Sequence, residues 1–337
     1  MLTKQEVWTV AEITEDQKIK KVSFELLARG RQLADRLNVP LASVVMGSQI
    51  EEADLRRLIY GGADHVYRVR EENLRYFIVE NYAGVMKQLI QQYQPQVVIA
   101  GATTQGRTLM PYLSIQLNTG LTADCTALEI EQESQLLLQI RPAIGGNIMA
   151  TIKTPEKKPQ MATVRPNSIK PLRQDQERTG QITDFKIDPS LLDNRVKHLG
   201  YFYNEGEEID LSTAETIISG GRGLKKKDHL QLVFDLARQL NGAVGASREV
   251  VDRGWMSYPH QVGLSGKTVN PKAYLAIGIS GAIQHLAGMK TADVIVAINQ
   301  DAHAPIFQLA DFGVVGDLFE VLPLLSKRLK ERNNHEV

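Results

Sequence analysis

Residues 273–289 read AYLAIGISGAIQHLAGM. The run AYLAIGI (273–279) is apolar and β-prone, Ser280-Gly281 interrupt it, and AIQHLAGM (282–289) continues at helical spacing with Gln284 and His285 inside it. A strand that passes through a small-residue turn directly into a helix is the building unit of an α/β fold. Open parallel sheets bind ligands beyond the carboxyl ends of their strands, so this turn stands where such folds carry their chemistry.

The surrounding sequence repeats the unit. AETIISGG (214–221), GAVGAS (242–247) and ADVIVAINQ (292–300) read as further strands, and LFEVLPLLSKRLKER (318–332) as a helix. DHLQLVFDLARQLNG (228–242) is a helix that Asp228 opens, with Gln231 three residues on, and that Asn241-Gly242 closes. In the first half, EVWTVAEI (6–13), LASVVMG (41–47), DHVYRV (64–69) and QVVIAGA (96–102) alternate with helical patterns at 23–37, 52–60 and 74–93. From residue 125 the pattern turns to extended segments: TALEIE, LLLQIRPA, NIMATIK and MATVRP. The polar stretch 167–195 is the best linker candidate, and it places the domain boundary between 1–190 and 191–337. The fold class is α/β, with two domains that each build a mostly parallel sheet flanked by helices.

At 337 residues the chain is long enough for two cores, since single cores rarely grow past roughly 250 residues. Lys plus Arg and Asp plus Glu number 39 each, so no overall field draws the chain to nucleic acid or to an anionic membrane. Lys225-Lys226-Lys227 reads as a solvated lead-in to a helix. The opening MLTKQEVWTV lacks the basic and apolar regions of a signal peptide, and no apolar stretch is long enough to insert in a membrane. A cytoplasmic location is expected. Cys125 is the single cysteine, which excludes an internal disulfide and a thiolate metal cluster, and it reads as a small buried hydrophobe. The histidines show no metal spacing, so no metal site is expected.

Several motifs compete for function. GLSGKT (263–268) ends like a phosphate-binding P-loop, but Gln261 stands where the motif needs its first glycine and a Pro-containing strand follows instead of a helix. Gly278-Ile279-Ser280-Gly281-Ala282 falls one residue short of a nucleophile elbow. His285, one turn along the same helix, is badly placed as a base for Ser280. The third reading takes Ser280 and Gly281, at a helix N-terminus, as an anion site suited to a dinucleotide pyrophosphate. Asp301, 20 residues after Gly281, with Asn299 beside it, has the spacing of a ribose-binding acid. SGGRG (219–223), GASREVVD (245–252) and GVVGD (313–317) end other strands, and Arg222 among its glycines suits a phosphate. AGATTQGRTL (100–109) in the first domain is explained by a helix capped near Thr104.

SGGRGL (219–224), GAVGASREVVDRGW (242–255), residues 261–289, VAINQDAHAPIF (296–307) and ADFGVVGDLFEVLP (310–323) together closely resemble the α subunit of electron transfer flavoprotein. GRTLMPYLSIQLNTGLTADC (106–125) and RPAIGGNIMATI (141–152) extend the resemblance into the first half. It implies a Rossmann-like second domain holding FAD and a first domain packing on a β subunit. The heterodimer would shuttle electrons between an acyl-CoA or related dehydrogenase and another redox partner, in some relatives by NADH-dependent bifurcation. Carried over by motif, Arg222 and the Ser280-Gly281-Ala282 turn sit at the pyrophosphate and ribityl chain. Asn299 and Asp317 meet the adenosine end. Ser247 and Val262 through Ser265 (Val262, Gly263, Leu264, Ser265) line the flavin, with Arg248 over the ring. Gln284 and His285 reach the ribityl and the C2 carbonyl, where cationic or donor groups raise the first reduction potential. Gln261, Gly278, Ile283 and Leu318 complete the set, and no residue need be catalytic. Leu264-Ser265 stands where family members often carry Gln-Thr, so a hydroxyl is kept and an amide lost. The alternative class is a free-standing nucleotide-binding enzyme, either a serine hydrolase at Ser280 or an NAD-linked oxidoreductase. A third is an adenine-nucleotide sensor in the first domain.

Overall fold

The structure is a computed structural model that describes residues 5–143, 148–200, 211 and 214–333. By packing, the chain divides into two compact units, Met1–Tyr201 and Phe202–Val337. No helix of the described residues is long and apolar enough to cross a membrane.

The first unit contains β1 (Val7–Val10), α1 (Lys21–Leu37), β2 (Leu41–Gly47), α2 (Glu52–Tyr60), β3 (His65–Arg70), α3 (Val79–Tyr93), β4 (Val97–Gly101), α4 (Thr104–Leu117) and β5 (Leu121–Cys125). It continues with β6 (Ala127–Ile130), β7 (Leu137–Pro142), β8 (Met149–Ile152), β9 (Gln160–Val164) and β10 (Gln181–Asp184). Seven strands form one sheet in the order β10-β3-β2-β1-β4-β9-β5, and every neighbouring pair is parallel. Every residue of β1, β2, β4 and β9 is buried, because helices cover both faces of the sheet. Leu26 and Leu33 of α1 and Leu58 of α2 pack with Val7 and Leu41 on one side. Met86 and Leu89 of α3 and Met110 of α4 pack with Trp8 and Val98 on the other. The extended segments after residue 125 part company: β6, β7 and β8 form a separate antiparallel sheet, while β9 enters the main one.

Two of three local expectations are corrected in this unit. The helix expected over 74–93 starts at Val79, because Ile78 is extended and Glu72–Leu74 forms its own short turn. The cap expected near Thr104 is met by the adjacent Thr103, whose hydroxyl accepts the Gly106 N–H at 3.1 Å. The third concerns 167–195, taken as a linker. It contributes β10, an edge strand paired with β3. Ile182, Phe185 and Ile187 pack against the cores on the two faces of the sheet, and polar bonds fix the rest of this segment. Arg68 grips both oxygens of Asp184, and Asp64 accepts from Arg31 (2.7 Å) and Arg178 (2.6 Å). A segment fixed by such bonds has the composition of a linker.

The second unit holds β11 (Thr216–Gly220), α5 (Leu230–Gln239), β12 (Ala243–Ala246), α6 (Arg248–Asp252), β13 (Ala273–Ile277), α7 (Ile283–Met289), β14 (Val294–Asn299), β15 (Phe312–Val315) and α8 (Leu318–Asn333). Its five strands are all parallel, in the order β12-β11-β13-β14-β15. Alternate residues of β13 serve the two faces. Leu275 and Ile277 pack with Val233 of α5 and Leu322 of α8, whereas Tyr274 and Ala276 pack with Met289 of α7 and Ile306.

The cap expected at Asp228 does not form. A short turn at Lys227–His229 precedes α5, which starts at Leu230 without a side-chain cap, and the Gln231 amide donates to Asp235 (2.8 Å) instead. The other end follows the sequence: Asn241 is left-handed (φ 49°) and the Gly242 N–H donates to the Ala237 carbonyl at 2.8 Å.

The chain leaves β11 to make β12 on one side and returns to β11's other side with β13. At such a reversal the loops after the two strands diverge and leave a crevice at the carboxyl ends, here those of β11 and β13.

Candidate functional site

A cavity of about 980 Å³ opens at this crevice. The two loops that bound it touch backbone to backbone: Gly221 N–H donates to Ile277 O (2.8 Å) and Gly223 N–H to Gly278 O (3.0 Å). Gly278 has φ +60°, and a side chain there would press on the Cα of Gly223. Glycine serves both the left-handed turn and the close approach.

The next turn is Ser280-Gly281-Ala282. Gly281 has φ +86° and lies so close to Ile306 that an added Cβ would be 2.3 Å from its backbone nitrogen. Helix α7 starts at Ile283, later than the sequence suggested, and Ala282 caps it without any side-chain hydrogen bond. Among the described residues, the backbone N–H groups of Ser280, Gly281, Ala282, Ile283 and Gln284 meet no acceptor. Such a row of donors attracts an anion.

The segment 258–268 forms another wall. Val262 N–H donates to Ala246 O (2.9 Å), Lys267 N–H to Gln261 O (2.7 Å) and Leu264 N–H to Gln284 O (2.7 Å), which strap this loop to β12 and α7. The Gln261 amide donates to the Ser265 hydroxyl at 2.9 Å, and Tyr258 donates to the Ser265 carbonyl at 2.8 Å. The P-loop-like residues thus close on themselves, and β13 rather than a helix follows them.

Charged groups ring the mouth. Arg222 contacts Glu249 at 3.5 Å, Glu249 also accepts from Arg253 at 2.9 Å, and Arg248 donates to Asp252 at 3.2 Å. Both Arg222 and Arg248 are largely exposed. Such pairs contribute about 0–1 kcal/mol, so each guanidinium exchanges partners cheaply.

At the far side, the Asn299 amide donates to Ile279 O (3.0 Å) and its oxygen accepts the Asp301 N–H (3.0 Å). Asp317 caps α8 through the Phe319 N–H (2.9 Å) and lines a small recess of about 40 Å³ with Asn299 and Leu318.

His285, 6% exposed, is a buried polar group of the lining. Its Nε2 lies 3.0 Å from the hydroxyl of Tyr274, which is fully buried. Its Nδ1 is buried without a hydrogen-bond partner. Burial pushes the imidazole pKa down to about 4, against a smaller opposing effect of the Val262 backbone, so the ring is neutral near pH 7. Of the two roles expected of His285, cation or donor, its surroundings support the donor.

The cavity therefore gathers Arg222, Ser247, Arg248, Gln261 through Ser265, Gly278, Ser280, Ala282, Gln284, His285 and Asn299 on one wall system. Asp317 and Leu318 stand at the satellite recess, and Leu318 is buried in the core beneath it. Gly281 lies behind the wall as a buried spacer, and Ile283 points outward, 74% exposed. Lys225, Glu249, Asp252, Arg253 and Trp255 line the cavity but escaped the sequence reading. Their nearness to strand ends was the available signal. Among the described residues no hydrogen bond joins Ser280 to a histidine, and no cluster of His, Cys, Asp and Glu is arranged to hold a metal.

Comparison with known proteins fits both units. Residues 7–190 match the electron transfer flavoprotein domain, and residues 210–290 match the electron transfer flavoprotein FAD-binding domain. The chain belongs to the electron transfer flavoprotein α-subunit family. It is 46% identical over 327 residues to an electron transfer flavoprotein subunit alpha of Thermoanaerobacterium thermosaccharolyticum, covering 97% of this chain and 98% of the relative. A subunit alpha of Megasphaera elsdenii is 41% identical, with 97% and 96% covered. A lactate dehydrogenase (NAD(+),ferredoxin) subunit LctC of Acetobacterium woodii is 39% identical, covering 94% of this chain and 75% of the relative. The electron transfer flavoprotein FAD-binding match thus falls on the unit with the crevice. Three features there fit a flavin dinucleotide: unmet amide donors, a glycine-lined approach, and an orphaned imidazole nitrogen.

Proposed function

We propose that this chain is the FAD-holding subunit of a heterodimeric electron carrier. FAD occupies the crevice of the second unit, and the N-terminal domain at 1–190 packs on a β subunit. The pair passes electrons between an acyl-CoA or related dehydrogenase and a further redox partner in the cytoplasm. The chain acts as a carrier rather than an enzyme. The observation that carries this reading is the coincidence of the FAD-binding family match with a cavity whose row of backbone donors meets no acceptor and whose buried His285 Nδ1 has no partner.

Bound FAD supplies one- and two-electron redox chemistry. The chain's residues bind, orient and shield. The amides from Ser280 to Gln284 and the Arg222 guanidinium would hold the pyrophosphate, with Arg222 exchanging Glu249 for phosphate. Asn299 and Asp317 would border the adenosine end. Ser247 and the strapped loop from Gln261 to Ser265 would flank the flavin, with Arg248 released from Asp252 to lie over it. Gln284 and His285 would donate to its ribityl and carbonyl side, where added negative charge is favoured by fixed donors.

An NADH-dependent, electron-bifurcating setting finds support in the name of the Acetobacterium woodii relative, a lactate dehydrogenase (NAD(+),ferredoxin) subunit. Co-expression with a β subunit tests the reading. A yellow complex is expected, with FAD lost on Arg222→Ala more readily than from the wild type. A colourless complex that takes up no added FAD would overturn it. Direct reduction by NADH with two flavins released per heterodimer marks the bifurcating form, and reduction only through an acyl-CoA dehydrogenase marks the simple carrier.

A further inference from the structure

Behind the cavity wall lies a polar pair that the proposed FAD contacts do not include. Tyr274 sits in the middle of the sheet, on β13 between Ile217 of β11 and Ile295 of β14, and is fully buried. Its hydroxyl is the more costly to leave unpaired for being there. Among the described residues, His285 Nε2 lies 3.0 Å from it, and the hydroxyl of buried Ser219 also faces it.

Two proton arrangements are open. If Nε2–H donated to the tyrosine oxygen, the phenol would turn to Ser219, and the serine proton and the Nδ1 lone pair would both lack partners. If the phenol donates to Nε2, Ser219 can donate to the tyrosine oxygen, the imidazole proton must sit on Nδ1, and that one donor alone is left over. The second arrangement leaves fewer buried groups unpaired. Burial reinforces it, because it raises the Tyr274 pKa and the phenol keeps its proton.

We infer that Tyr274 is a positioning residue for the cofactor site: its hydroxyl fixes His285 as the Nδ1–H tautomer and so gives the crevice a neutral, preorganised hydrogen-bond donor for an electron-rich carbonyl. The inference rests on the reading of the crevice as the FAD site. Locked this way, the imidazole spends none of its time as the wrong tautomer and pays no reorientation when charge arrives.

The test uses the heterodimer with ¹⁵N-labelled histidine and a Tyr274→Phe variant, which removes one oxygen and keeps the ring. In the wild type, Nδ1 should give a protonated, pyrrole-like signal and Nε2 an unprotonated, pyridine-like one. In the variant this pattern should be lost, and with FAD retained the first-electron potential should fall by the equivalent of about tenfold, near 59 mV for one electron. A wild type protonated at Nε2, or a FAD-loaded variant with unchanged potential, overturns the inference. Should the variant not fold, the wild-type spectrum decides alone. A complex without flavin absorbance defeats the reading of the site instead, and the tautomer signals remain readable in it.

Discussion

Gly281→Ala places a methyl group where the backbone leaves no room. The residue has φ +86°, and the new Cβ would stand 2.3 Å from the Ile306 nitrogen and 2.6 Å from its Cα. Both neighbours are backbone, so no side chain can swing aside. Left-handed geometry costs an alanine about 1–2 kcal/mol. Pushing back fully buried Ile306 adds overpacking of about 1–3 kcal/mol. The same displacement strains the Ile306 N–H to Ser280 O bond, now 3.1 Å, which carries about 1 kcal/mol. A total near 4 kcal/mol lowers the melting temperature of the second unit by roughly 10–15 °C at a few degrees per kcal/mol. The turn from Ser280 to Ala282 moves with it, so FAD content falls as well. Differential scanning calorimetry and the visible spectrum of the co-expressed complex measure both. A variant with wild-type melting and full flavin would refute the packing of this turn against Ile306.

The flavin-free chain should lose stability on acidification through His285, whose folded pKa of about 4 lies below its ordinary value of 6.5. The unfolded chain then binds the extra proton first, so this contribution is complete above pH 6.5 and falls by about 2 kcal/mol from pH 7 to pH 5. Urea midpoints across that range check it, and equal slopes in wild type and His285→Gln would count against a buried neutral imidazole. Cys125 is buried at the end of β5, and burial pushes its thiol up to about 12 from 9.0. Its alkylation at pH 8 should be at least about a thousandfold slower in the native than in the unfolded chain, and comparable rates in the two states would contradict the burial of that strand end.

The stretch 273–289 made the fold legible because strand, turn and helix are each written locally. Apolar runs without polar interruption marked β4 and β13 as strands covered on both sides. Gly278 and Gly281 marked the turn, and Asn241-Gly242 marked the end of α5. Arg222, Arg248 and Asn299 were readable as site residues because each directly follows or ends such a strand. Asp228 misled, since a capping pattern states what a side chain can do, whereas here Asp228 lies in a short turn in which His229 Nδ1 bonds the Leu224 carbonyl, and the helix begins only at Leu230.

Sequence periodicity by itself determined that strands and helices alternate, that the strands are buried and parallel, and which glycine turns lie beyond their ends. Only the tertiary structure decided that β13 pairs on the far side of β11 from β12, and so where the crevice opens. It also decided that polar 181–184 is an edge strand, that Glu249 and Asp252 hold the site's arginines, and that His285 answers to Tyr274. The reason is physical. Local patterns depend on residues within a turn or two of each other, whereas strand order and buried hydrogen-bond partners are settled by groups far apart in the chain that meet only once the core has formed.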